Sequence, residues 1–156
     1  MKIRLIVAGT RMPAWVTEGY HHYARRLSGT CTLELVEVAT GRRGPRAPPD
    51  RARAEEGRRL RAAVPKGSRI VALDEHGEEW STSELARRLE GWMLTGDDLA
   101  LLVGGPDGLD GPSLAAAAER WALSRLTLPH GLVRIVVAEQ LYRAVTLLQG
   151  HPYHRG

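Results

Sequence analysis

Leu99-Ala100-Leu101-Leu102-Val103-Gly104-Gly105-Pro106-Asp107-Gly108 decides the fold: five apolar residues run without a break into a glycine-rich turn. A strand covered on one face alternates polar and apolar residues. An unbroken run of strand length belongs to a strand covered on both. Working upstream, Arg69–Leu73 is another such run and stops at Asp74, and Ile3–Ala8 is a third, interrupted only by Arg4 and closed by Gly9. Leu33–Val38 alternates and is read as a further strand. Helical spacing fills the intervals. Pro13 opens a segment with Trp15, Val16, Tyr20, Tyr23, Ala24 and Leu27 on one stripe, closed by Gly29. A charged helix runs from Asp50 to before Pro65. Ser81-Thr82-Ser83-Glu84 has capping-box spacing ahead of Leu85, Leu89 and Trp92. Downstream, a short alanine-rich helix is expected near 113–120, a strand over Trp121–Leu128 ending at Pro129, and a helix over His130–Gln149 that is apolar on several sides. Strands that alternate with helices give an α/β fold with a mostly parallel sheet and helices on both faces. With no internal repeat and no long linker, residues 1–156 are expected to form one domain.

Composition narrows the class. No run of 18 apolar residues exists, so no transmembrane helix is expected, and the apolar N-terminal run is too short for a signal peptide. A lone cysteine, Cys31, cannot form an internal disulfide and fits a reducing, cytoplasmic setting. The net charge of +4 is unevenly spread. Residues 41–66 hold nine basic side chains against three acids, and residues 70–110 hold ten acids against Arg87 and Arg88. One polyanion-facing surface is the functional reading, with Arg42, Arg43 and Arg46 in a glycine- and proline-rich loop suited to a phosphate backbone. A solvated arginine-rich helix is the plainer alternative.

Three places can carry chemistry. The turn Gly104–Gly108 and the end at Leu73-Asp74 lie beyond the carboxyl ends of strands, where α/β sheets collect ligands. The turn has neither the G-x-G-x-x-G nor the Walker spacing, so no dinucleotide or nucleoside-triphosphate fingerprint is present. A tight turn requiring positive φ explains its glycines equally well. Leu123-Ser124-Arg125-Leu126-Thr127-Leu128 could hold an adenine ring through main-chain hydrogen bonds, or be an ordinary edge strand. The third place is the tail, His151-Pro152-Tyr153-His154-Arg155. There Tyr153 can stack on a base, His154 can move a proton near neutral pH and Arg155 can hold a phosphate. His151 and His154 have metal-like spacing but no third ligand nearby, so no metal is expected. Glu139 and Arg143, four apart on the last helix, form either a surface ion pair or part of a substrate site.

Taken in order, these segments resemble a known family. They are Ala8-Gly9-Thr10 with Met12-Pro13 and Trp15, Gly41-Arg42-Arg43-Gly44, Leu73-Asp74, Gly104–Gly108, Leu126–His130, Glu139–Ala144 and His151–Arg155. End to end, the chain is similar to the ribosomal RNA large subunit pseudouridine N3-methyltransferases, a branch of the SPOUT class of knotted methyltransferases. Gly131 and Gly156 fall at positions outside the shared pattern. The resemblance implies a C-terminal trefoil knot, a homodimer, and S-adenosylmethionine held at Leu73, at Gly104-Gly105 and along Leu123, Ser124, Arg125, Leu126, Thr127 and Leu128. It also implies a pseudouridine of large-subunit RNA as substrate and the assembled 70S ribosome as partner. Under it, Arg42, Arg43, Arg46 and His130 face the RNA, while Glu139, Arg143, Tyr153, His154 and Arg155 are the candidate catalytic groups. A sulfonium is already a strong electrophile, so no metal is implied.

Overall fold

The structure, a computed structural model, describes residues 1–29 and 31–155, the side chains of His154 and Arg155 excepted. Among the described residues the strands are Lys2–Ala8 (β1), Thr32–Val38 (β2), Arg69–Glu79 (β3), Leu99–Val103 (β4) and Glu119–Ala122 (β5). The helices are Ala14–Ala24 (α1), Pro49–Ala63 (α2), Thr82–Thr95 (α3), Gly111–Ala116 (α4) and His130–Leu148 (α5), and a 3₁₀ turn covers Pro152–Arg155. The strands form one parallel sheet in the order β2-β1-β4-β3-β5. β4 lies between β1 and β3, with Leu99 in register with both Ile3 and Arg69.

Side-chain parity divides the core, because successive residues of a strand point to opposite faces. Leu99, Leu101 and Val103 join Ile3, Leu5 and Val7 in a cluster with Tyr20 of α1, Leu85 and Leu89 of α3, and Val137 and Leu141 of α5. Ala100 and Leu102 join Ile6, Ala8 and Leu60 of α2 on the other face. Each fully buried Leu or Ile contributes about 1.5–3 kcal/mol, so the three-helix face carries most of the apolar stabilisation. Helices on both faces are what the unbroken β4 run requires.

Local chemistry sets the boundaries. Ser81 caps α3 by accepting from the Glu84 amide, while Glu84 accepts from the Ser81 amide. Gly96, at φ 77°, ends that helix in the left-handed conformation. α1 stops at Ala24, short of Gly29, and its buried stripe is Val16, Tyr20 and Ala24. Trp15 lies off that stripe and is 56% exposed. β3 runs past Asp74, where the sequence pattern ends it. Its pairing with β5 breaks after Leu73 and resumes at Glu78 and Glu79, so residues 74–77 bulge outward. Gly77 makes the second pairing possible, since a Cβ there would sit 2.7 Å from the Arg120 backbone. Trp80, stacked on Trp121 at 5.1 Å with Arg88 over its ring at 4.2 Å, anchors the extension. β5 is correspondingly short. Residues 123–129, expected to continue as a strand, instead turn back across the ends of β3 and β4, and α5 starts beside Gly9.

One glycine in α2 sits where helix propensity argues against it. The Cβ of any other residue at position 57 would lie 2.2 Å from the Asp110 carboxylate, which is buried. That carboxylate caps α4 through the Ser113 amide and accepts from Arg61 at 2.9 and 3.0 Å. Burial works against its charge, but the bonds from Ser113 and Arg61 outweigh this and hold its pKa below the ordinary aspartate value. Gly57→Ala should therefore destabilise the fold by about 1–3 kcal/mol, the usual cost of overpacking, although alanine is the better helix former. Urea titration of the two proteins checks it; an alanine variant at least as stable as the parent would show that the clash is absorbed.

Candidate functional site

A cleft of about 1090 Å³ opens at the carboxyl ends of the central strands. Most of its wall comes from four segments: Ala8–Thr10 at the end of β1, Leu73–His76 at the β3 bulge, Val103–Leu109 at the end of β4, and, from β5 onward, Trp121, Leu123, Ser124 and Leu126–Leu128 with His130 and Val133. Eight of the nine expected cofactor residues line it: Leu73, Gly104, Gly105, Leu123, Ser124, Leu126, Thr127 and Leu128. Arg125 does not, and is exposed. Leu126 is 74% exposed despite its apolar side chain, so it lies open beside the cleft.

The backbone here suits an adenine edge. Among the described residues Ser124–Leu128 make no hydrogen bond to other backbone, and only the Leu126 amide turns to a side chain, the Ser124 hydroxyl. Main-chain donors and acceptors are thus left for a ligand, which they must meet if water is displaced. The two glycines of the turn have a different origin. A Cβ on Gly104 would lie 2.3 Å from the Gly108 backbone, and one on Gly105 would lie 2.7 Å from Glu56. Protein packing by itself is enough to demand both. Gly108 has φ 80°, the positive value expected of a tight turn.

His130 and Arg134 fasten the start of α5 beneath this cleft. His130 is partly buried, and its Nε2 donates to the Gly104 carbonyl at 3.0 Å. Arg134 is 2% exposed and donates to the Gly9 carbonyl at 2.9 Å and to Glu37 at 2.7 Å. His130 was expected to face RNA; the structure places it against the Gly104–Gly108 turn, where it also lines the cleft. Its pKa is lowered, by burial first and then by the Arg134 charge. The unfolded chain therefore takes up a proton near pH 6.5 that the folded chain still refuses. Stability from this group is complete above about pH 6.5 and is lost as pH falls through the lower folded value. The melting temperature should drop between pH 7.5 and 5.5, and His130→Gln should flatten the slope; equal slopes in scanning calorimetry would show that His130 does not govern it.

The basic loop behaves unevenly. Arg42 and Arg46 are exposed. Arg43, expected on RNA, donates to Glu56 and Asp107 instead. None of the three lines the cleft, although Thr40 and Arg53 do.

The expected catalytic groups gather elsewhere. Arg143 bonds Glu139 at 2.7 Å and lies 4.9 Å from the Tyr153 ring, which also meets Tyr142 at 4.6 Å. The Glu139 bond raises the Arg143 pKa, and burial raises that of Tyr153. The tail thus folds back on α5 as a 3₁₀ turn. His154 and Arg155 belong to the same turn, but their side chains lie outside the described residues. α5 has 19 residues. At ~1.5 Å per residue Glu139 and Arg143 stand roughly 14 and 20 Å along the helix from His130, so the tail that packs on them lies well beyond the end of α5 that lines the cleft.

Sequence reading missed Glu56, Asp110 and Arg134. A glycine inside a charged helix, Gly57, was the available sign of close approach; nothing local marked Arg134. Among the described residues, no group of three or more His, Cys, Asp or Glu could hold a metal ion, and no helix is long and apolar enough to cross a membrane.

A parallel sheet with a glycine turn and a cleft beyond its carboxyl strand ends is the architecture in which α/β proteins collect ligands. Comparison with known proteins narrows this. A family model described as "Predicted SPOUT methyltransferase" matches residues 1–154, and the chain belongs to that family, whose methyl donor is S-adenosylmethionine. It is 60% identical over 155 residues, 99% of either chain, to "Ribosomal RNA large subunit methyltransferase H" of Alkalilimnicola ehrlichii. It is 55% identical over the same span to the protein of that name from Nitrosococcus oceani, again with 99% of each chain covered. A methylase family protein from Haemophilus influenzae shares the fold at TM-score 0.59 with 12% identity, over 97% of this chain and 69% of that one. One from Neisseria gonorrhoeae does so at 0.55 with 16% identity, over 90% and 81%.

Proposed function

We propose that this methyltransferase, like the relatives whose name it matches, acts on large-subunit ribosomal RNA, and that its target is N3 of a pseudouridine on the assembled ribosome. The observation that carries the substrate is the 60% identity across 99% of both chains to a protein so named. It works in the cytoplasm as a single-domain homodimer, with the C-terminal return path forming the family's trefoil knot. S-adenosylmethionine would be held by Leu73, the Gly104–Gly105 turn and the backbone of 123–128, and supplies an electrophilic methyl group.

The remaining work falls to side chains. Neutral pseudouridine carries a proton on N3, and the nitrogen must lose it before attacking in line. Among Tyr153, His154 and Arg155, the histidine is the side-chain type whose ordinary pKa lies nearest the need. Arg155 and Arg143 can stabilise charge on the base, Tyr153 can stack on it, and Glu139 holds Arg143 in place. The tail packs on α5 roughly 20 Å along the helix from the end that lines the cleft of its own chain. In the homodimer the tail of one copy would serve the cleft of the other. Incubation with tritiated S-adenosylmethionine tests the proposal. Label should enter the large-subunit RNA of 70S ribosomes, and should vanish on ribosomes lacking the pseudouridine. Label in bulk transfer RNA instead would overturn the substrate.

A further inference from the structure

We propose that Arg43 and Glu56 are positioning residues for the cofactor turn: a clamp from the basic loop through α2 to Asp107 holds that turn in the shape that takes S-adenosylmethionine. Three separate elements converge on one guanidinium. Arg43 donates to the two Glu56 oxygens at 2.7 and 3.2 Å, and to Asp107 through Nε at 3.1 Å and through a terminal nitrogen at 2.9 Å. It also reaches the Gly41 carbonyl at 3.3 Å, while the Gly41 amide donates to Glu56 at 2.9 Å. Glu56 is 1% exposed. A carboxylate buried that far must keep its donors, because an unpaired one costs several kcal/mol. Asp107 is part of the turn itself, and Gly105 lies directly against the Glu56 carboxylate. Whatever moves Glu56 or Arg43 therefore moves the turn.

Arg43 also suits this role by shape. A planar fork can serve two carboxylates at once, which an ammonium cannot. Its donors being engaged, a phosphate could take it only by displacing an acid; the exposed Arg42 and Arg46 have no such ties to the turn. The basic loop thus divides into one arginine bonded to the turn and two that are not.

The clamp rests on reading the glycine turn as part of the cofactor site, and the test separates the two. Amide exchange on the unmodified protein, with and without S-adenosylmethionine, should show protection at 104–108. Calorimetry then gives S-adenosylmethionine affinity for Asp107→Asn, Arg43→Gln, Arg43→Lys and Glu56→Gln. Asp107→Asn and Arg43→Gln should each weaken it about tenfold or more, the scale set by a site misplaced by a fraction of an ångström. Arg43→Lys should restore little. The Michaelis constant for ribosomes and its salt dependence should stay put. A purely electrostatic loop predicts the reverse: Asp107→Asn and Glu56→Gln remove negative charge, so RNA binding would tighten and cofactor affinity would not change. Asp107 is exposed, so its variant keeps the test sound even if Glu56→Gln fails to fold. Protection at 104–108 with unchanged affinity in Asp107→Asn and Arg43→Gln would overturn the clamp alone. No protection there would overturn the cofactor assignment and the clamp together.

Discussion

Removal of the residues after Pro152 should lower methyl transfer to ribosomes by at least about 100-fold, the low end of what a placed acid–base or charge-stabilising group contributes. Binding of S-adenosylmethionine should persist, since the cleft lies at the other end of α5. Stability should change little, because the loss is confined to a terminal 3₁₀ turn and the contacts of Tyr153 with Tyr142 and Arg143. Single changes divide the roles. His154→Ala should lower turnover and alter its pH profile if His154 takes the N3 proton. Arg155→Ala should weaken ribosome binding and reduce its salt sensitivity if Arg155 meets phosphate. Truncated protein that methylates ribosomes at the full rate would leave Glu139 and Arg143 as the groups to pursue.

The second large effect is expected at Gly104. An added methyl would meet the Gly108 carbonyl carbon at 2.3 Å and the Leu109 nitrogen at 2.7 Å, both backbone atoms that cannot swing aside. The turn must open, and with it the carbonyl that receives His130. Gly104→Ala should reduce S-adenosylmethionine affinity by about 100-fold or more, as expected when a preorganised site is displaced by ~1 Å. The sheet should survive, because β4 ends at Val103, with a stability loss of about 1–3 kcal/mol. Isothermal calorimetry beside a thermal melt checks both parts; an intact melt with unchanged affinity would remove this turn from the cofactor site. Gly105→Val is the less specific probe. Its side chain would strike Glu56 rather than enter the cleft.

Much of this was legible in the residues because the relevant physics is local. The unbroken apolar run of β4 demanded cover on both faces, and the Ser81–Glu84 spacing announced its helix. The cleft segments followed from the rule that ligands gather beyond the carboxyl ends of parallel strands. What the pattern hid depends on distant partners. β3 extends because β5 and Trp121 wait beside it, and β5 stops because its chain must turn back over the cleft. Arg43 looked like a phosphate ligand until Glu56 and Asp107, 13 and 64 residues away, were seen to hold it. The bond from His130 to Gly104 was hidden for the same reason, since the two lie 26 residues apart. Remoteness of the tail from the cleft follows only from the length of an unbroken α5.

The position of β4 also governs how such a chain can mature. β1 and β3 are not neighbours; each pairs with β4, which is made later than both. Until residue 103 has left the synthesis machinery, the first strand can pair only with β2, and the apolar edge of β1 stays bare. Assembly of the sheet is therefore late and dominated by long-range closure, a topology that folds slowly. A chain released before β4 would expose unsatisfied strand edges, and quality-control chaperones and proteases would meet it as an aggregation-prone fragment rather than as a half-built domain.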